Sequence, residues 1–203
     1  ILPGDFDPEE LWVPFQTRVG CPLHCSYCST PIIEGRSMRF QSPEFVVKNL
    51  EAHVAAGYRR FFFVDNVFNL PPDYAEAVCE AMAAAHLDIA WQAIVYPRHL
   101  SPGLVEKMAR AGCTHVSLGF ESGSEQILSS MNKRFTPADV QETNALFKQA
   151  GIARIGFLLL GGAGETRETA AARFDFGQSL DLDAVKLSCG IGIYANTPLA
   201  EQA

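Results

Sequence analysis

The sequence predicts an α/β fold with parallel strands, and two observations carry the prediction. Apolar, strand-like runs alternate with helix-like segments six times along the 203 residues. Several of those helices share one punctuation, opening on Ser-Pro or Thr-Pro and closing on Ala-Gly. Such alternation joins parallel strands through right-handed crossovers, in an open partial barrel or a doubly wound sheet. Either architecture collects function at the C-terminal ends of the strands.

The elements run in order. "WVPFQTRV" (12–19) alternates as a strand and leads into a cysteine-rich loop. "SPEFVVKNLEAHVAAG" (42–57) is a helix with Ser42 as N-cap, Pro43 in the first turn and Gly57 as the stop. "RRFFFVDN" (59–66) is a buried strand, the Ala-rich segment 71–86 a helix, and "DIAWQAIV" (88–95) a strand. Residues 101–112 form the next helix and "THVSLGFES" (114–122) the next strand. A short helix at 124–131 and a longer one at 136–151 precede the strand "ARIGFLLLGG" (153–162). A helix at 166–180 and a last strand at 184–193 follow, and "NTPLAEQA" reads as the start of a helix. Trp12 and Trp91 read as packing residues.

A hydrophobic content of 48% and a charged content of 19% describe an ordinary globular core. The net charge of −7 argues against nucleic acid as the main partner. No apolar run reaches the roughly 18 residues of a membrane span. One tight cysteine cluster with three dispersed thiols suits a reducing compartment, hence an expected cytoplasmic location. Without Met at position 1, residues 1–203 are expected to be one domain cut from a longer chain.

The cluster is "CPLHCSYC": Cys21, Cys25 and Cys28, spaced C-x3-C-x2-C. Thiolates at this spacing suit soft metals or iron–sulfur clusters. One reading is zinc completed by a distant residue, with His24 inside the loop as a further possible ligand. The other is three irons of a [4Fe–4S] cube, with the fourth iron open to an exogenous ligand, as a catalytic metal centre requires. Cys189, after the last strand, is the one thiol expected on the same face; Cys79 and Cys113 read as buried structural thiols. Polar and glycine residues also gather at strand ends: Asp65-Asn66, Glu121-Ser122, and Gly161-Gly162-Ala163-Gly164-Glu165. Each has a plainer reading, as a turn, a helix cap or a tight loop.

"CPLHCSYC", with Tyr27 just before the third cysteine, resembles the signature of radical S-adenosylmethionine enzymes. The resemblance covers nearly the whole chain and implies a partial (β/α)6 TIM-like barrel. It implies that Cys21, Cys25 and Cys28 hold a [4Fe–4S] cluster whose open iron binds S-adenosylmethionine. Reductive cleavage of the sulfonium would release a 5′-deoxyadenosyl radical that abstracts hydrogen from substrate. Tyr27 would pack beside the cluster. Asp65 and Asn66 would meet the methionine amino group, although the family's usual Gly-Gly-Glu is absent. Glu121, with Ser122, would meet the ribose. Gly161, Gly162, Gly164 and Glu165 would support adenine and methionine, with Ala163 standing where Pro is frequent.

"VPFQTRVGCPLHCSYCSTPIIEGR" and "IYANTPLAE" are similar to the cobalamin-binding branch of that family, which implies a cobalamin domain elsewhere in the protein and methyl transfer to an unactivated centre. A tRNA methylthiotransferase is the alternative within enzymes. A non-catalytic iron–sulfur or zinc module is the alternative outside them. The implied partners are a small-molecule or peptide substrate and an electron donor such as a ferredoxin or flavodoxin. Arg18, Arg36 and Arg39 flank the loop as charge-balancing or surface residues, and Tyr96, Arg98 and His99 are substrate-side candidates.

Overall fold

The computed structural model describes residues 7–162 and 164–202. Six parallel strands form one open sheet: β1 (Trp12–Phe15), β4 (Arg60–Phe63), β5 (Ala90–Val95), β6 (Cys113–Glu121), β7 (Ala153–Leu160) and β8 (Ala184–Cys189). Their spatial order is their chain order, each pairing only with its neighbours in the series, so the sheet curls as a partial barrel without closing. A two-stranded antiparallel ribbon, β2 (Arg18–Val19) with β3 (Arg39–Phe40), stands beside it. Among the described residues, no helix is long and apolar enough to cross a membrane.

The crossover helices form where their punctuation places them. They are α2 (Pro43–Ala55), α3 (Pro72–Ala84), α4 (Pro102–Arg110), α6 (Pro137–Gln149) and α7 (Arg167–Ser179). Ser42, Ser101 and Thr136 accept hydrogen bonds from the backbone N–H of Phe45, Leu104 and Asp139. Each thereby satisfies a first-turn donor that the helix cannot. Short helices α1 (Thr30–Ile33), α5 (Glu125–Ser130) and α8 (Pro198–Gln202) cap the strand-end face.

The core is built from what the helices and strands share. Trp91 is fully buried, stacks on Phe63 at 4.8 Å and donates its indole N–H to the Ala111 carbonyl. Trp12, on the edge strand, is partly exposed and meets His115 edge-on. Cys79 and Cys113 are buried in this core. Burial pushes the Cys79 thiol up to about 12.

The expected first strand, 12–19, is corrected. It stops at Phe15, and Arg18–Val19 leave the sheet for the ribbon. The cause is Asp65, whose carboxylate accepts from the backbone N–H of Thr17 (2.8 Å) and Arg18 (3.0 Å) and from the Thr17 hydroxyl (2.6 Å). Those donors are lost to any continuing ladder, and the chain turns toward the cysteine loop.

Candidate active site

The ribbon holds the base of the cysteine loop. Gly20 precedes Cys21 with φ +102°, and a Cβ there would lie 2.6 Å from the Ser37 carbonyl, so only glycine fits. Next, Cys21 donates its backbone N–H to the Gly35 carbonyl at 3.1 Å. The far side is pinned by Ser26. Its N–H donates to Met131, its hydroxyl to the Ser130 carbonyl, and its own carbonyl accepts from Leu199. The loop is thus tied to α5 and α8 on one side and to the ribbon on the other.

Cys21, Cys25 and Cys28 all line one cavity of about 210 Å³ at the C-terminal ends of the strands. Tyr27, Asn66, Tyr96, Glu121 and Lys133 share its wall with the apolar Leu23, Val67 and Phe157. Burial raises the Cys21 and Cys25 thiols above their ordinary value. Among the described residues no three metal-binding side chains converge closely enough to share a single ion. Three soft thiols lining one cavity suit an iron–sulfur cluster in their chemistry.

The same cavity is lined by a buried ion pair. Lys133 sits 3.4 Å from Glu121 and also donates to the Gly119 carbonyl at 3.3 Å. Its ammonium lies 5.5 Å from the Tyr27 ring centroid, and the Tyr27 hydroxyl donates to the same Glu121 oxygen at 3.1 Å. Burial alone would lower the Lys133 pKa. Cys25 and Tyr27 in their ionised forms, with Glu121, outweigh that and raise it. Burial, first, raises Tyr27, which stays a neutral hydroxyl. Glu121 itself adopts φ +63° at a register shift in the β6–β7 pairing.

Lys133 is the residue that sequence reasoning missed. It follows a short helix in a loop, "MNKRF", with no motif to mark it. Glu34 was missed too; its carboxylate joins Gly20 to Asn66.

Several expected site residues fall elsewhere. The Asp65 carboxylate is fully buried and committed to Thr17 and to Arg18, 3.4 Å from its guanidinium; it builds the loop base and does not line the cavity. Arg18 is correspondingly no surface or cluster-side cation. It is buried over the Tyr74 and Phe68 rings and donates to the carbonyls of Phe68 and Leu70. Ser122 is buried outside the cavity lining, its hydroxyl accepting from the Ser124 N–H as a turn. Glu165 accepts from the Gly161 N–H and pairs with Arg173 at 2.5 Å, so it ties the loop after β7 to α7. Gly161 brings that loop against Gly190, where a Cβ would come within 3.3 Å of the Gly190 Cα. Gly162 and Gly164 belong to the same loop, also outside the cavity lining, and Ala163 lies outside the described residues. Arg36 packs on His24, and Arg39 donates to the Glu34 carbonyl; both are exposed. His99 lines a separate apolar groove with Met38 and Phe40, and Arg98 donates to the Arg134 carbonyl. Cys189 is exposed and is not among the cavity's lining residues.

An open parallel barrel with three loop thiols and a buried cation at its strand ends defines a cluster-dependent enzyme core. A family model described as "Radical SAM superfamily" matches residues 16–176, and the chain belongs to that superfamily. Its cofactors are a [4Fe–4S] cluster and S-adenosylmethionine. An uncharacterised methyltransferase of Pyrococcus horikoshii is 30% identical over 94% of this chain and 42% of its own length. The bacteriochlorophyllide d C-12(1)-methyltransferase of Chlorobaculum tepidum is 32% identical over 81% and 37%. A tRNA-2-methylthio-N(6)-dimethylallyladenosine synthase of Desulfosudis oleivorans is 28% identical over 89% and 40%. The chain therefore spans about two fifths of the curated relatives it matches. The radical S-adenosylmethionine methyltransferase TsrM of Kitasatospora setae, solved with tryptophan and a SAM analogue, superposes with a TM-score of 0.90. That match covers 96% of this chain and 39% of TsrM at 23% identity, a likeness of fold.

Proposed function

We propose that the full protein is a cobalamin-dependent radical SAM methyltransferase acting on a small-molecule substrate in the cytoplasm. The observation that carries the reading is one cavity gathering all three thiols of the C-x3-C-x2-C loop and a buried cation at the strand ends. Cys21, Cys25 and Cys28 would hold three irons of a [4Fe–4S] cluster, leaving one iron without a protein ligand. The chemistry supplied there is one-electron reductive cleavage of the S-adenosylmethionine sulfonium.

The chain's own groups then bind and orient. Lys133 would offer positive charge to the methionine carboxylate. Asn66 would meet the amino group, and Glu121, held by Tyr27 and Lys133, would meet the ribose hydroxyls. Leu23, Val67, Ile94 and Phe157 line the cavity and would exclude water from it.

The methyltransferase names of two relatives, 30% and 32% identical, support methyl transfer. TsrM was solved with cobalamin and a [4Fe–4S] cluster, which supports the same cofactor pair, with cobalamin held by a part of the protein outside these 203 residues. The electron would come from a small ferredoxin or flavodoxin. The methylthiotransferase reading has several tRNA-2-methylthio-N(6)-dimethylallyladenosine synthases at 27–30% identity in its favour and the net charge of −7 against it, since RNA gains no electrostatic help.

Anaerobic reconstitution of the full-length protein tests the reading. About four irons per chain, and an electron paramagnetic resonance spectrum that changes on adding S-adenosylmethionine, are expected. An unchanged spectrum, or bound zinc with no cluster, would overturn it. Absence of cobalamin binding would sink the methyl-transfer part alone.

A further inference from the structure

Glu34 lies just past α1, outside every strand-end motif. Its Oε2 accepts two hydrogen bonds, from the Gly20 backbone N–H at 3.0 Å and from the Asn66 Nδ2 at 2.7 Å. The second bond has a chemical consequence. The two ends of an amide look alike in shape, and its orientation follows from its partners. A carboxylate offers acceptors only, so the end of Asn66 that faces Glu34 must be the NH2. The amide oxygen is then the group Asn66 keeps for another donor, and Asn66 lines the cavity of the three cysteines.

The cavity consequently presents two unlike polar groups. Asn66 supplies an oriented acceptor, and Lys133 supplies a cation. A free amino-acid head group, ammonium with carboxylate, is the ligand chemistry that matches both. Were Asn66 reversed, its NH2 would meet the ammonium donor to donor, and the match would be lost.

We propose that Glu34 is a positioning residue that locks the Asn66 amide with its oxygen available to the cavity, and so sets recognition of the ammonium of an amino-acid-bearing ligand. The inference rests on the S-adenosylmethionine reading of the cavity given above. Because Oε2 also holds the Gly20 N–H, one carboxylate fixes both the residue before Cys21 and the ligand's ammonium partner.

The test uses the anaerobically reconstituted full-length protein and two ligands, S-adenosylmethionine and its deamino analogue, which keeps the carboxylate. Equilibrium dialysis gives the ratio of the two dissociation constants, and iron is counted in every variant. Glu34→Ala frees the amide to rotate and is expected to shrink the ratio about tenfold, the worth of one hydrogen bond to a charged group. The paired variant Glu34→Ala with Asn66→Asp removes the need for orientation. A carboxylate presents an oxygen whichever way it turns, so most of the ratio should return. An unchanged ratio in Glu34→Ala, equal losses for both ligands, or no recovery in the pair would overturn the proposal. Iron loss in both variants would also overturn it, because Glu34 would then serve the cysteine loop alone. If the unaltered protein binds no S-adenosylmethionine, the proposed function fails instead.

Discussion

Asp65 offers the sharpest separation of structure from ligand binding, through the substitution Asp65→Asn. Asparagine keeps the size of the side chain and an oxygen for the Thr17 and Arg18 N–H groups, both of which go to Oδ1. It removes the charge that faces the Arg18 guanidinium at 3.4 Å, where both side chains are at most 1% exposed. Burial lowers the Arg18 pKa, and Asp65 works against that shift, so the cation depends on its partner. Stranding one member of a buried pair costs about 3–5 kcal/mol. Here Arg18 keeps the Phe68 carbonyl at 2.7 Å, the Leu70 carbonyl at 2.8 Å and the Tyr74 ring at 4.5 Å, which places the cost near the low end, ~3 kcal/mol. For a chain of this length that is a fall in Tm of about 6–12 °C. Thermal unfolding of the 203-residue chain by circular dichroism reads it directly. Adding Arg18→Met should recover part of the loss, since the uncompensated charge is gone. A fall under about 2 °C, accompanied by lost S-adenosylmethionine binding in the full-length protein, would refute the reasoning and return the carboxylate to the ligand.

Four further outcomes are expected. Lys133→Met should weaken S-adenosylmethionine binding at least about tenfold by dialysis, because a desolvated charge-assisted contact is removed; equal affinity would contradict the carboxylate role. Gly20→Ala should abolish iron incorporation, since φ +102° and a Cβ 2.6 Å from the Ser37 carbonyl are both intolerable, and full iron content would contradict it. Cys189→Ser should leave iron content unchanged; loss of the cluster would make Cys189 a ligand. The Asp139 carboxyl, held below its ordinary 3.8 by the backbone N–H of Thr136, stabilises α6 above that value and ceases to as pH falls through its depressed folded value. The stability gap between the protein and Asp139→Asn, ~1 kcal/mol at neutral pH, should therefore close below about pH 4, and a gap that grows on acidification would refute the sign.

The sequence carried the helices because their signals are local. Ser42, Ser101 and Thr136 cap within three residues of themselves, and each is followed by Pro. The cysteine spacing is local as well. What stayed hidden depends on distant partners. "WVPFQTRV" alternates through residue 19, yet the strand ends because Asp65, 48 residues away from Thr17, takes its N–H. Glu165 looked available beside three glycines, but Arg173, two helical turns on, captures it. Lys133 has no motif, since a loop lysine is ordinarily a solvated one. Only the packing of the α5–α6 connection over the strand ends makes it a buried cation.

Two of the buried ion pairs show how a stabilising charge differs from a working one. Arg18 and Asp65 are sealed: the carboxylate also binds Thr17, the guanidinium binds two carbonyls, and aromatic rings cover it. No ligand could compete for either without unfolding the loop base. Lys133 and Glu121 are also largely buried, at 7% and 14% exposed, but open onto a cavity; their separation of 3.4 Å equals that of the sealed pair, so access is what differs. Glu121 is also held at φ +63°, a conformation that costs a non-glycine residue on the order of 1 kcal/mol or more. A pair meant only for stability would have relaxed that strain. A pair open to the cavity lets a ligand carboxylate take the cation and ligand hydroxyls take the anion. The strained residue coincides with the register shift in the β6–β7 pairing, and from there Glu121 lines the cavity.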